Sequence, residues 1–165
     1  MWLYVPLLLA VACLNFASSR LAARRANALF QHPFKPLPDL GHVVLPRIPI
    51  WAPDAYLNVT LAVLWLNRNH LPGLTAALPA ATLSLAIRAA TIHLTLLPSP
   101  LPPTTPAWVG THDLMFSGHT ICFCAAGHAL GVSWLAAVGA LVIIAARTHY
   151  TIDVMMAMLV FQGVL

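Results

Sequence analysis

"SGHTICFCAAGHALGVSWLAAVGALVIIAARTHYTID", residues 117–153, is the stretch on which the fold turns. Two apolar runs stand back to back in it, separated only near Gly131 and Val132. A histidine marks each outer end: His119 near the beginning of one run, His149 just before the apolar stretch that follows. If each run is a helix, the chain reverses once between them, and both imidazoles come to the same face at similar depth.

Working outward, apolar stretches recur at 1–18, 54–67, 74–97, 113–130, 133–147 and 150–165. The 165 residues are 60% hydrophobic and 7% charged, where an average globular chain carries about 25% charged residues. The expected fold is therefore all-α, a polytopic membrane bundle of six transmembrane helices, with residues 1–165 forming one integral-membrane domain. The second and sixth stretches are short for a bilayer, which calls for tilt or local thinning. Pro79 predicts a kink in the third helix. Met1–Ser18 has no basic region before its apolar run and reads as a first membrane helix, not a removable signal.

The net charge of +4 does not point to nucleic acid, because the basic residues lie between apolar stretches, where headgroup phosphates are the nearest anions. Cys13, Cys122 and Cys124 lie inside apolar stretches and suggest neither a disulfide framework nor a cysteine metal site.

Six crossings place 19–53, 98–112 and the turn near 148 on one face, and 68–73 and 131–132 on the other. Six of the 14 prolines fall between Pro33 and Pro53 and five more between Pro98 and Pro106, so the first face carries stiff, extended connections. "SRLAARRANALF", residues 19–30, has the pattern of an interfacial helix or of a solvated juxtamembrane arm.

The chain has no Glu and four Asp: Asp39, Asp54, Asp113 and Asp153. Ionisable groups at membrane depth cost several kcal/mol and are usually retained for function. His149 and Asp153 are one helical turn apart, so the carboxylate can orient the ring and leave its other nitrogen free to attack or take a proton; a purely structural pair fits the spacing equally well. One oriented imidazole and one free one suit in-line displacement at phosphorus, with His149 as nucleophile and His119 as proton donor. Ser117 and Gly118, at a helix start, suit phosphate oxygens, and Arg88 and Arg147 are the nearest cations, although Arg147 could simply snorkel. A metal centre is disfavoured, since His119 and His128 are nine apart, on opposite sides of a helix, and carboxylates are few. His128 reads as a packing or pore-side residue, and His112 as a residue at the site mouth.

"SGHT" at 117–120 and "HYTID" at 149–153, with "KPLPDL" at 35–40 and "IRAATIHLTLLPSP" at 87–100, resemble the motifs of the sphingomyelin synthase family, a branch of the type 2 phosphatidic acid phosphatase superfamily. The resemblance covers nearly the whole chain. It implies a cofactor-independent and metal-independent transferase that moves a phospho-headgroup from a phospholipid donor to a ceramide acceptor and releases diacylglycerol. The catalytic triad would be His119, His149 and Asp153. Asp113 matches the acidic residue ahead of the family's Ser-Gly-His motif and Asp39 its loop aspartate. Phosphocholine is the first expectation for the headgroup, with phosphoethanolamine and phosphoinositol behind it. The expected setting is a Golgi-type or plasma-type membrane, with room for a homo-oligomer.

The sequence departs from the family at His93, where Tyr is usual, and at Thr111-His112, where Cys-Gly is usual. Arg20, Arg24, Arg25, Lys35, Arg47 and Arg147 lie on the proposed active face and Arg68 on the other, so charge bias alone would make the active face cytoplasmic. The resemblance implies a lumenal or outer site, which is the orientation adopted, because a basic rim around a phosphate has its own cause. Two rivals are a lipid phosphate phosphatase using the same triad and a non-catalytic binding or channel protein. Phe116 stands where the phosphatase branch has Pro, and Ile143 where it has Arg.

Overall fold

The computed structural model describes residues 4–29, 37–95, 97–101 and 114–165. Among these, every regular element is helical: α1 (Tyr4–Leu29), α2 (Leu40–Val44), α3 (Ala52–Leu66), α4 (Leu74–Ile92), α5 (Gly118–Leu130), α6 (Trp134–Ala145) and α7 (Thr151–Val164). The six longer helices fall on the six apolar stretches, and α2 is an additional single turn within the proline-rich connection.

Helix length departs from expectation. Two helical stretches, Tyr4–Ala26 and Leu74–Ile92, are long and apolar enough to cross a membrane. The other four have 15, 13, 12 and 14 residues, or about 18–23 Å against a hydrocarbon core of about 30 Å. Nor is 19–30 a separate interfacial helix, because α1 runs on through it to Leu29. Asn15, Ser18, Ala22 and Ala26 are all buried, and their spacing of three and four makes one stripe of mostly small residues that lets α1 and α4 approach closely. α4 stays a single helix through Pro79.

Local chemistry sets the ends. Pro53 lies in the first turn of α3, where its missing N–H costs nothing. Asp39 caps α2 by accepting the His42 N–H, and Ser117 caps α5 by accepting the Thr120 N–H. Gly131, at φ 70°, closes α5 in the left-handed conformation that glycine adopts without strain. α5 therefore starts five residues later than the apolar pattern begins.

α5 is the hub, packed against α3, α4, α6 and α7, whereas α1 packs on α4. Phe123 of α5 is fully buried, edge-on to Tyr56 at 5.0 Å between centroids, and its ring lies where a side chain at Gly139 of α6 would have to go. Hydrogen bonds between connections fix which ends coincide. Ile48 N–H donates to Ala145 O and Ser117 N–H to Asp153 O, which gathers the starts of α5 and α7 and the end of α6. Gly73 N–H donates to Ala129 O at the opposite end. Among the described residues, α5, α6 and α7 thus alternate in direction as the sequence led one to expect.

Because the Phe123 ring fills the space beside Gly139, Gly139→Val should destabilise the fold by about 1–3 kcal/mol. Thermal unfolding in detergent measures this, and Gly163→Val, at an open position on α7, is the control expected to change little.

Candidate active site

A cavity of about 630 Å³ opens at the end where α3, α5 and α7 begin. Its lining includes His119, His149, Arg88, Gly118, Asp54 and Asn15, with Arg20 and Trp51 also reaching it. His119 and His149, separated by 30 positions in sequence, thus face one space.

The wall is built from the starts of α3 and α5 and the residues just before α7, together with α1 and the later part of α4. Before α5, Phe116 takes φ 107°, a region costly for a side chain as large as phenylalanine. That conformation accompanies a hydrogen bond from Arg88 Nε to Phe116 O at 2.7 Å. Arg88 is 5% exposed, and its Nη1 donates to Asn15 Oδ1 at 3.0 Å. Asn15 in turn donates through Nδ2 to Leu85 O at 2.7 Å. A charged guanidinium is thereby held in an apolar wall, beside the open face of Gly118.

His149 is 7% exposed, and its Nδ1 lies 3.6 Å from Asp153 Oδ2. That is ion-pair range but beyond a hydrogen bond, and Nδ1 has no hydrogen-bond partner among the described residues. The same Asp153 oxygen accepts the Tyr150 N–H at 3.0 Å, so the carboxylate is divided between capping α7 and facing the ring. His42 Nε2 donates to His149 O at 2.9 Å, which braces the backbone there and fixes the His42 tautomer.

His119 differs from its expected role as the free imidazole. Its Nε2 is 2.8 Å from Asp54 Oδ1, with the two side chains 34% and 61% exposed. Here the close carboxylate–imidazole contact belongs to His119, and it comes from α3, 65 residues away in sequence. Sequence reasoning left Asp54 without a role, yet a signal existed: it begins a stretch that enters from the same face as His119 and His149.

The remaining expected ligands divide. Arg88 and Gly118 line the cavity. Ser117 does not; it is fully buried, and its hydroxyl is engaged in capping α5. Arg147 donates from Nη2 to Leu45 O at 3.2 Å and fastens the connection ahead of α3 instead of lining the cavity. Asp39 is a clamp on α7, accepting Thr151 N–H and Thr151 Oγ1–H, each at 2.7 Å. Short polar side chains next to helix ends are drawn first to unpaired backbone groups. Asp113 and His112 lie outside the described residues. His93 pairs through Nε2 with Ser18 Oγ at 3.1 Å. His128 lines a second cavity, of about 640 Å³, near the α5–α6 turn. Among the described residues, no three of His, Cys, Asp and Glu come together as a metal centre.

No family model matches the chain, and no curated protein or solved structure is significantly similar to it.

Burial pushes the Asp39 carboxyl up, but the Thr151 hydroxyl and N–H and the His42 N–H outweigh it and hold the group below its ordinary 3.8. A lowered folded pKa stabilises the fold above the unfolded value, and that contribution fades as pH falls through the folded one. Asp39→Asn should therefore unfold at a lower temperature than the wild type at pH 7, with the gap closing below about pH 4. Paired melting curves from pH 7 to pH 3 test this, and a gap independent of pH would remove the ionised clamp.

Proposed function

We propose that this protein is a membrane phosphotransferase that moves a phospho-headgroup from a glycerophospholipid to ceramide and releases diacylglycerol. The observation that carries the reading is the meeting of His119 and His149 at one cavity, each with a carboxylate behind it and Arg88 alongside. Two imidazoles on separate elements, with a buried cation between helices, match the needs of a two-step displacement at phosphorus and have no evident packing purpose. The likeness of "SGHT" and "HYTID" to the sphingomyelin synthase motifs supports the same assignment.

In the first step, His149, with Nδ1 turned to Asp153, attacks the donor phosphorus through its other ring nitrogen. The bond from phosphorus to the diacylglycerol oxygen breaks, and His119 gives that oxygen a proton. In the second, His119 takes the proton of the ceramide hydroxyl, whose oxygen accepts the phospho-headgroup from His149. Closing the 3.6 Å separation from Asp153 would stabilise the charge that develops on the His149 ring. Asp54 accepts the Nε2–H of His119 and keeps the ring at the cavity wall, so the proton given to diacylglycerol and later taken from ceramide is the one carried on Nδ1. Arg88 offsets charge on the phosphoryl oxygens.

The bilayer setting is part of the proposal. Leu9, Leu14, Leu61, Leu66, Leu141 and Leu159 all turn outward, as lipid-facing side chains would. The six longer helices are taken as the six membrane spans, with the four short ones in a locally thinned or tilted arrangement. A Golgi-type or plasma-type membrane with the cavity on the lumenal or outer face follows the family resemblance.

Membranes carrying the protein, incubated with fluorescent ceramide and defined phospholipids, should yield a labelled phospho-headgroup ceramide. His149→Ala and His119→Ala should each lower the rate by about 10²–10⁴-fold with expression and unfolding temperature retained. Asp54→Asn should cost about 10–100-fold and displace the pH profile, as loss of a ring-orienting carboxylate does. Phosphate release from phosphatidic acid without ceramide transfer would make the protein a phosphatase instead. Full activity in His149→Ala would end the proposed mechanism.

A further inference from the structure

The cavity is graded in depth. Arg88 and His149 lie at its buried inner part, while Phe16, Arg20, Trp51 and Asp54 form an exposed rim. A phosphorus atom held between the imidazoles leaves the rest of the headgroup to choose among the remaining wall groups. Those groups decide which donor fits.

A trimethylammonium group needs an aromatic face or an uncommitted carboxylate, since it has no N–H to donate. Among the described residues, the rim offers little of either. The Phe16 ring is covered by a cation already, with Arg20 Cζ 4.9 Å from its centroid. Asp54 is engaged by His119 at 2.8 Å. Trp51 is 63% exposed and is one ring, not a cage. A quaternary ammonium entering here would meet the Arg20 guanidinium, a like charge, where it would need a π face. By contrast, guanidinium N–H groups suit hydroxyl oxygens and a lipid of net negative charge.

We infer that Arg20 is a headgroup-selecting residue, favouring anionic donors with an uncharged, hydroxyl-bearing headgroup, of the phosphatidylglycerol or phosphatidylinositol class, over phosphatidylcholine. The inference rests on the proposed transferase reading and moves the expected donor away from phosphocholine. The reaction balances as before: the bond from phosphorus to the diacylglycerol oxygen breaks, a bond from phosphorus to the ceramide oxygen forms, and the ceramide proton ends on diacylglycerol. The polyol stays on phosphorus.

Detergent-solubilised protein with fluorescent ceramide and equal amounts of phosphatidylcholine, phosphatidylglycerol and phosphatidylinositol tests it directly. The anionic donors should exceed phosphatidylcholine by about tenfold or more, and Arg20→Gln should narrow that ratio by about tenfold. A dominant phosphatidylcholine product, or a ratio unchanged in Arg20→Gln, overturns the selector while leaving the transferase reading intact. Product from no donor overturns the transferase reading, and binding then judges Arg20 by itself. Greater thermal stabilisation by dihexanoyl-phosphatidylglycerol than by dihexanoyl-phosphatidylcholine, lost in Arg20→Gln, supports the selector; equal stabilisation overturns it.

Discussion

Arg88 carries a permanent charge into an apolar wall, and a charge placed there must be hydrogen-bonded on the sides its planar fork presents. Phe116 O and Asn15 Oδ1 supply two of those bonds, and each has structural consequences. The first accompanies a backbone conformation at Phe116 that few side chains tolerate, which sets where α5 begins and therefore where Gly118 and His119 stand. The second joins α4 to α1 through an amide that is itself anchored to Leu85 O. One guanidinium thus links the peripheral helix, the hub helix and the cavity. Removing it would leave an orphaned amide and a strained carbonyl as well as one fewer cation.

The three acids in the described residues follow a common pattern. Asp39 precedes α2, Asp54 lies in the first turn of α3 and Asp153 in the first turn of α7. Helix starts present unpaired N–H groups and the positive end of the dipole, so they are the least costly places for carboxylates in an otherwise apolar chain. Because alternate helices start at the same end, all three collect there. Polar chemistry and helix capping then compete for the same groups: Asp39 is fully committed to backbone and Thr151, Asp153 is shared, and Asp54 makes its bond with an imidazole.

The opposite character marks the outside of the molecule. α1 touches α4 through a stripe of mostly small residues and turns Leu7, Leu9 and Leu14 outward. Close packing through small residues does not need water to drive it. The same stripe carries α1 past residue 18, so the arginines beyond it are borne on the same helix. That is why Arg20 can reach the cavity rim.

Sequence alone determined the six helical stretches, their alternation, and the arrival of His119 and His149 at one end with Asp153 a turn from His149. Helical periodicity and the number of reversals fix height along the bundle, and both can be counted from residue order. Tertiary structure decided what lies side by side at that height: that Asp54 touches His119, that Asn15 holds Arg88, and that Ser117, Arg147 and Asp39 serve the backbone. Those outcomes depend on how helices are arranged around one another and on side-chain reach of a few ångströms, and spacing along a single helix carries neither.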